Sequence, residues 1–395
     1  MRRLTITPRK DWQKRVERVG LTYHTLENGT PYWDESAYWE LRSSEVDRLE
    51  AATAEVQRLA LAAGDAILDQ DRLTQMGIPA AAGPAIRAAW NSEPPALYGR
   101  LDLAYDGSTI KLLEYNADTP TGLVEAAVAQ WYWLQECFPD ADQFNSLHEK
   151  LVAKWKDLKG YISSPVYFAD GGSEEDRMTV SYLRDTAEQG GLRTRPIAMH
   201  DIGWDEDHAR FVDLDDHAMA TLFKLYPWEW LLSEPFGPEA LSTLPPAAAL
   251  QEWGPRKDRR LWGPMLWIEP IWKMLWSNKA LLAILWELNP GHELLLPAYQ
   301  DGPRELNSYV RKPLLGREGA GIAVVRDGLA VEGALSGENA QGYVYQALAP
   351  MATAAGKTAV FGSWLVDGEP AGMGIRESTG LVTNNTSSFV PHLFR

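Results

Sequence analysis

The sequence predicts a mixed α/β fold with a helical N-terminal region and a β-rich C-terminal region. Apolar residues recur at helical spacing over residues 44–69, which is typical of an amphipathic helix. Helix-like and strand-like segments then alternate over residues 142–199, a pattern that favours helices packed on a sheet. Residues 294–385 are mostly short strand-like segments separated by glycine-containing turns. The chain is therefore expected to be helical first, mixed in the middle and β-rich at its end.

The individual elements are predicted in chain order. The apolar stripe of the first long helix consists of Val46, Leu49, Val56, Leu59, Ala63 and Ile67. A hairpin is expected over residues 98–117, around the turn-forming pair Asp106-Gly107. The other predicted elements are helices over 120–137, 142–159 and 174–189, strands over 165–169 and 193–199, and a buried helix over 271–288.

Composition and charge exclude several classes of protein. The chain has 395 residues, 45% of them apolar, which is enough for one large domain or for two to three packed subdomains. A net charge of −16 disfavours nucleic acid and anionic membranes as partners. The seven histidines lack metal-binding spacing and no G-x-S-x-G motif occurs, which disfavours zinc chemistry and serine hydrolases.

The expected location is the cytoplasm. The single cysteine, Cys137, excludes an intrachain disulfide and fits a reducing compartment. No apolar signal segment is visible at the start of the sequence. The most apolar run, residues 261–288, contains four charged residues and is too charged to span a bilayer.

The stretch KLLEYNADTPTG, residues 111–122, carries polar residues where a strand would end. Glu114 and Asn116 share one strand face, and Arg100 and Asp102 share a face of the preceding strand. Directly opposed residues of an antiparallel pair lie on the same face, so the hairpin loop decides whether the two pairs meet. A shift of one residue in the register therefore decides whether these four side chains form one site or lie on opposite faces of the hairpin.

Two loop lengths lead to opposite predictions. A two-residue Asp106-Gly107 loop sets Asp102 opposite Lys111 and turns Glu114 to the other side. A three-residue loop that starts at Tyr105, with its glycine as the left-handed residue of a bulge, brings all four polar residues to one face. Two carboxylates and an amide beside an arginine would then suit Mg²⁺. The alternative to a metal site is that these residues form the solvated outer face of a hairpin at the edge of a sheet.

A helix is predicted to begin directly after these strands. Thr119 and Pro120 fit the N-cap and the first position of a helix. The amides and the positive dipole end of that helix would lie beside the polar cluster and form an anion site. Metal ligands next to a helix N-terminus indicate phosphate or carboxylate chemistry.

A glycine-rich hairpin later in the chain is a candidate phosphate-binding loop. Strand-like residues lead to Lys312, and Gly316, Gly319 and Gly321 follow before a second strand at 322–325. The glycines would let backbone amides approach phosphates, and the lysine would add a point charge. The alternative is an ordinary flexible hairpin with a solvated lysine.

In combination, these motifs resemble the synthetase part of the glutathionylspermidine synthase family. The matching motifs are R-x-D at 100–102, E-x-N at 114–116, SNKA at 277–280, the lysine and G-R-E-G loop at 312–319, and GIR at 374–376. The resemblance extends over nearly the whole chain, including LYPWEW at 225–230 and the TNN…PH tail. Each motif is weak alone, but their order and spacing together are specific.

The resemblance implies an ATP-grasp fold in permuted order, in which the metal-binding strand pair precedes the nucleotide lysines. It divides the chain into a helical N-terminal region (1–97), a region with the metal-site hairpin and the α/β substrate part (98–260), and an ATP-grasp nucleotide-binding region (261–395).

The family pattern also assigns residue roles. Mg²⁺ would be held by Asp102, Glu114 and Asn116, and the transferring phosphoryl group would be stabilised by Arg100 and Arg376. ATP would be bound by Lys279, Lys312, Gly316, Gly319, Gly321 and, on the adenine side, Gln346. The acid substrate would contact Thr119, Thr121 and Arg317, and the amine would lie near Glu174 and Glu175. The two glutamates equally fit the acid-rich first turn of a helix.

The resemblance implies an ATP-dependent carboxylate–amine ligase that forms an amide through an acyl phosphate and uses ATP and Mg²⁺. Its partners would be a small acid (glutathione, a peptide or an amino acid) and an amine (a polyamine or a similar molecule). Unlike full-length family members, the chain is expected to lack the N-terminal amidase domain, since the hairpin begins near residue 98. Two alternatives stay open: a ligase for a different acid and amine, and a nucleotide-binding protein without ligase activity.

Overall fold

The computed structural model describes residues 1–244, 264–335, 339 and 341–395. Within these residues, strands form five sheets and helices pack against them, which confirms the predicted α/β class. None of the helices in these ranges is both long and apolar enough to cross a membrane. The predicted division near residue 260 lies outside the described residues, and the predicted regions stay a prediction.

Most helices lie in the first half of the chain. In chain order, the α-helices are α1 (Trp12–Glu17), α2 (Ser43–Asp69), α3 (Gly83–Ser92), α4 (Gln130–Cys137), α5 (Leu147–Leu158), α6 (Glu174–Gln189), α7 (Trp228–Leu231), α8 (Gly237–Ser242) and α9 (Ala280–Leu288). The predicted stripe of α2 is buried along its whole length, so its apolar face explains the helix. Ser173 caps α6 by accepting a hydrogen bond from the amide of Asp176 at 3.0 Å.

Two predicted helices are shorter than expected. The helix predicted over 120–137 begins at Leu123, and a π-helical turn, Glu125–Ala129, precedes α4. The buried helix predicted over 271–288 is two pieces, a 3₁₀ turn at Ile271–Leu275 and α9. Both breaks lie beside the cleft described below.

The strands up to residue 225 are β1 (Arg2–Thr5), β2 (Ala37–Leu41), β3 (Tyr98–Tyr105), β4 (Ile110–Asn116), β5 (Val166–Asp170), β6 (Thr194–Ala198), β7 (Gly203–Asp205), β8 (Arg210–Val212) and β9 (Thr221–Leu225). The later strands are β10 (Leu266–Ile268), β11 (Ala298–Tyr299), β12 (Tyr309–Pro313), β13 (Ala323–Arg326), β14 (Leu329–Glu332), β15 (Tyr343–Ala347), β16 (Thr353–Ala354), β17 (Lys357–Val366), β18 (Glu369–Ser378), β19 (Ser388–Val390) and β20 (His392–Phe394).

Three sheets position the candidate site. The six-stranded sheet has the order β19-β18-β17-β3-β4, with β16 beside β17, so it joins the early hairpin to the C-terminal strands. A five-stranded sheet, β11-β15-β12-β13-β14, carries Lys312 and Gln346. A parallel sheet, β10-β9-β5-β6, packs against α6, whose first turn supplies the acidic side of the site.

Candidate active site

The hairpin of β3 and β4 places the four polar residues on one face. The two strands are antiparallel, with Arg100 opposite Asn116 and Asp102 opposite Glu114. Directly opposed side chains lie on the same side of a sheet. The condition that the sequence left open, a shared face, is therefore met.

The register arises differently from the prediction. Tyr105 pairs with Ile110, so the four residues 106–109 separate the strands, and neither the two-residue nor the three-residue loop considered from the sequence occurs. Further along, Asp102 pairs with Glu114 but Leu103 pairs with Leu112, so the register shifts by one residue in the middle of β4. This bulge restores the parity that the even loop would have lost.

The carboxylate of Asp102 lies between two guanidinium groups. Arg100 donates to it from Nε at 2.7 Å and from Nη2 at 3.2 Å, and Arg376 of β18 donates at 2.6 Å. Burial alone would raise the pKa of Asp102, but the two positive charges outweigh it and hold the pKa below its usual range. The amide of Asn116, oriented to satisfy its partners, donates to Glu114 at 2.9 Å and accepts from Arg100 at 3.3 Å.

Lys279 connects the hairpin to the glycine-rich loop. Its Nζ donates to Glu114 Oε1 at 2.8 Å and to the carbonyl of Gly316 at 2.6 Å. The residue stands immediately before α9, where the predicted continuous helix is interrupted. A positive charge is thereby held against the face that carries the carboxylates.

Lys312 is buried beneath the same face. Its Nζ donates to the carbonyl of Leu113 at 2.8 Å and to Gln346 Oε1 at 2.6 Å. Burial lowers the pKa of this lysine to about 8, because desolvation disfavours its charged form. Gln346 also donates to the carbonyl of Leu112 at 2.9 Å, so its side chain serves the lysine and the strand, and its adenine role stays a prediction.

The glycine-rich loop lies between β12 and β13 and packs across the cleft. Gly319 adopts a φ of +75°, and a Cβ there would lie 2.8 Å from the carbonyl of Thr383. The neighbouring Glu318 accepts a hydrogen bond from Asn385. The loop therefore meets the segment 381–387 directly. Gly321, which also has a positive φ, packs on Pro313 and does not line the cleft.

The segment after β4 is irregular and not helical, which corrects the predicted helix start. Thr119 is not an N-cap; its hydroxyl instead accepts a hydrogen bond from Arg317 at 2.8 Å. The carbonyl of Thr121 accepts one from Arg100 at 2.5 Å. Gly122 then has a φ of +81°, a left-handed conformation immediately before the helix. The predicted substrate threonines thus contact two arginines of the site.

The acidic segment fits both of its predicted interpretations. Glu174, Glu175 and Asp176 form the first turn of α6, and all three line the cleft. Burial raises the pKa of Glu175, and the neighbouring Asp176 adds to the effect. A partly buried carboxylate cluster at the edge of a cleft favours a cation.

One cleft of about 570 Å³ unites most of the predicted residues. Its lining includes Arg100, Asp102, Glu114, Asn116, Thr119, Thr121, Glu174, Glu175, Lys312, Gly316, Arg317, Gly319, Gln346 and Arg376. Lys279 does not line it and acts through its contacts with Glu114 and Gly316. The lining residues that sequence reasoning missed include Tyr23, Tyr32, Glu229 and Trp230. Only the last two stood in a quoted motif, LYPWEW, and the tyrosines had no local signal.

Comparison with known proteins decides the family. Residues 3–395 match the family described as glutathionylspermidine synthase preATP-grasp. The chain belongs to this family. A candidate acid–amine ligase of Haemophilus influenzae is 38% identical over an alignment that covers 100% of both chains. The predicted family is therefore confirmed.

Other relatives are longer. The chain is 29% identical to a trypanothione synthetase of Crithidia fasciculata, covering 83% of this chain and 52% of the relative. It is 27% identical to a bifunctional glutathionylspermidine synthetase/amidase of Escherichia coli, covering 90% of this chain and 58% of the relative. The chain thus spans about half the length of these two proteins.

The fold is shared with a solved structure. A glutathione synthetase-like effector from Globodera pallida, in its apo form, superposes with a TM-score of 0.50 at 10% identity and covers 98% of this chain and 96% of its own. At this identity the likeness concerns the fold alone. It confirms the predicted ATP-grasp class.

Proposed function

We propose that the protein is an ATP-dependent ligase that joins a carboxylate of one small molecule to an amine of another. The observation that carries the proposal is the convergence of a carboxylate–amide face, two arginines, Lys312 and an acidic helix turn on one cleft, with Lys279 bonded to Glu114. Phosphoryl transfer to a carboxylate needs positioned positive charge more than a protein nucleophile. The relatives, which are acid–amine ligases and synthetases by name, support the same class.

The donor set fits Mg²⁺. Asp102, Glu114 and Asn116 present oxygen atoms from one face, and hard oxygen ligands are those that Mg²⁺ prefers. When bound, the ion would neutralise charge on the nucleotide phosphates. Lys279, now paired with Glu114, and the buried Lys312 stand beside the same face and would hold phosphate oxygens.

In the first half of the reaction, a carboxylate oxygen of the acid would attack the γ-phosphorus of ATP. The bond to ADP breaks and an acyl phosphate forms. Arg100 and Arg376, both bonded to Asp102, are positioned to stabilise the charge on the transferring group. Thr119 and Arg317 would hold the acid, since they meet at the wall of the cleft.

In the second half, the amine nitrogen would attack the acyl carbon and phosphate would leave. An alkyl amine is protonated at neutral pH and has to lose a proton before it attacks. The carboxylates of Glu174, Glu175 and Asp176 would attract the cation to this end of the cleft. The pair we propose first is glutathione and spermidine, because the Escherichia coli relative is named for their product.

The test is ADP release measured over a panel of acids and amines. Glu114→Gln and Asn116→Ala are expected to lower the acid- and amine-dependent rate by roughly 100-fold, because each removes an oxygen ligand or its charge. Glu287→Gln is the control, since this exposed partner of Arg72 lies outside the cleft. Full activity of both site variants would refute the metal assignment.

The panel also separates the alternatives. If only another acid and amine give product, the proposed substrates are wrong but the protein is still a ligase. Tight binding of Mg·ATP without turnover of any pair would favour a nucleotide-binding protein. The arginines, the carboxylates and Lys312 in one cleft, with Lys279 bonded to Glu114, support the ligase over that alternative.

A further inference from the structure

A buried ion pair lies directly behind the wall of the cleft. Lys224 of β9 is 0% exposed and Asp118, in the segment after β4, is 1% exposed. The ammonium donates to Asp118 Oδ1 at 2.9 Å and lies 4.6 Å from the centre of the Trp228 ring. The functional roles proposed above use neither charge.

Such a pair is a poor way to stabilise a fold. Removing two charges from water costs several kcal/mol, and their attraction repays that cost only with well-placed hydrogen bonds. Two apolar side chains of the same size would often stabilise the fold equally well. The pair is better explained by the geometry it imposes, and its hydrogen bonds indicate which geometry that is.

On one side, the pair fixes the segment that follows the metal-binding strand. Asp118 stands two residues after Asn116 and one before Thr119. The amides of Ala117 and Asp118 donate to Ser277 Oγ at 3.2 Å and 2.8 Å. Ser277 lies two residues before Lys279. The segment after the metal-binding strand is therefore hydrogen-bonded to the same short segment that carries Lys279.

On the other side, the pair fixes the turn after β9. Lys224 donates to the carbonyl of Tyr226 at 2.8 Å, and Asp118 Oδ2 accepts from the amide of Trp228 at 3.0 Å. The next residue, Glu229, accepts from Arg317 at 3.3 Å.

The contacts close into a ring. Arg317, held by Glu229, also donates to the hydroxyl of Thr119, which neighbours Asp118 in the chain. The ring therefore runs from the buried pair through the turn after β9 and the glycine-rich loop, and back to the pair. Two residues of the ring, Thr119 and Arg317, line the cleft, and both are assigned to the acid substrate.

We propose that Lys224 and Asp118 are positioning residues that set the distance between Thr119 and Glu229, and so place the Arg317 guanidinium for the acid substrate. This inference rests on the proposed ligase function. It predicts that losing the pair weakens binding of the acid more than binding of the nucleotide. Arg317 would still be present but would no longer be held at the correct position.

The variant that tests it is the double substitution Asp118→Asn with Lys224→Met. The introduced asparagine keeps an acceptor for the amide of Trp228, and the methionine fills the space of the lysine. Each single substitution leaves a buried charge unpaired and is expected to lower the melting temperature, whereas the neutral double variant is expected to melt close to the wild type. Asp213→Asn is the control, since this carboxylate is bonded to Tyr167 and Arg195, outside the ring.

Two measurements on the double variant decide the matter. In ADP release with glutathione and spermidine, the KM for the acid is expected to rise about tenfold or more and the KM for ATP to stay within about threefold of the wild type. Amide hydrogen exchange of residues 117–122 and 314–321 is expected to become faster, because the ring no longer holds them. Unchanged KM for the acid together with unchanged exchange would overturn the proposal, as would an equal rise of both KM values.

The test of the positioning role can be distinguished from the test of the ligase function. If the wild type turns over no acid and amine, the proposed function fails, and the exchange experiment still reports on the ring without substrate. Faster exchange confined to the two segments in the double variant supports positioning by the pair. Wild-type exchange there would refute it, whatever the reaction is.

Discussion

The burial of Lys312 changes the pKa of its side chain, which the sequence could not show. The motif placed a lysine before a glycine-rich loop, but a solvated lysine would keep a pKa near 10.5. In the structure, burial lowers that pKa to about 8, and the ammonium donates to the carbonyl of Leu113 and to the amide oxygen of Gln346. A bound phosphate would favour the charged form and raise the pKa again.

Nucleotide binding is therefore predicted to take up a proton near pH 8. Below the pKa Lys312 is already charged, and above it the neutral lysine has to be protonated on binding, so the affinity falls as the pH rises above 8. Calorimetry of Mg·ADP binding in two buffers with different ionisation enthalpies measures the uptake. Lys312→Arg is the control, because arginine stays charged and should show none. The same uptake in that variant would mean that another group titrates.

Glu125 is a second buried ionisable residue beside the acidic wall. It is fully buried within the π-helical turn, and burial together with the nearby charge of Glu175 raises its pKa to about 7. A carboxyl whose pKa is higher in the folded state contributes stability below its unfolded pKa. That contribution is lost as the pH rises through 7.

Glu125→Gln is predicted to remove this pH dependence. At pH 8 the variant should be more stable than the wild type, by an amount on the order of 3 kcal/mol, since the carboxyl no longer has to ionise in an apolar site. Urea unfolding at pH 5 and pH 8 measures the difference. Equal loss of stability between the two pH values in both proteins would contradict the assignment.

At the level of elements, the hairpin shows where sequence reasoning ends. Alternation placed Arg100 and Asp102, and likewise Glu114 and Asn116, on shared faces, and this is correct. The bulge that aligns the two faces could not be predicted, because distant contacts hold it. The amide of Leu112 donates to the carbonyl of Leu294 at 2.8 Å, and Lys312 bonds the carbonyl of the next residue.

The two misplaced helix boundaries have the same cause. Thr119-Pro120 is a good local start signal, yet this segment makes tertiary contacts to Arg100, Arg317 and Lys224 instead of forming a helical turn. Apolar periodicity likewise ran through residues 271–288, but a turn precedes α9, in which Asn278 Oδ1 accepts a hydrogen bond from the amide of Ala280 at 2.9 Å. Local patterns located the elements, and contacts between distant segments set where they end at the site.

Inserting an alanine after Leu113 is predicted to abolish Mg·nucleotide binding. The bulge already holds one extra residue between Leu112 and Glu114, so a second one shifts Glu114 and Asn116 by one position and turns them to the face opposite Asp102. Calorimetry with Mg·ADP measures the loss, and circular dichroism checks that the chain is folded. Gly107→Ala is the control, because it strains the loop at a φ of +98° but meets no neighbouring atom and leaves the register unchanged. Wild-type affinity in the insertion variant would show that the shared face is not needed.

At the scale of the whole molecule, the two ends of the chain meet behind the site. β1 pairs with β2, and β2 pairs with β20, which makes a small sheet from both termini. Arg3 of β1 donates to Glu377 at 2.7 Å and 2.9 Å, and Trp39 donates to the same carboxylate at 2.8 Å. Glu377 is the neighbour of Arg376 on β18, so the first strand secures the strand that carries a site arginine.

Arg3→Met is predicted to lower the free energy of unfolding by about 3 kcal/mol, because it leaves the buried carboxylate of Glu377 without its strongest partner. Arg2→Met is a matched control on the same strand. Arg2 pairs with Glu40 at the surface with a 70% exposed side chain, so its loss should cost less than about 1 kcal/mol. Adding Glu377→Gln to Arg3→Met removes the unpaired charge and should recover much of the stability. Guanidinium unfolding of the four proteins measures these differences, and equal losses for Arg2→Met and Arg3→Met would mean that the buried bridge does not secure the N-terminal strand.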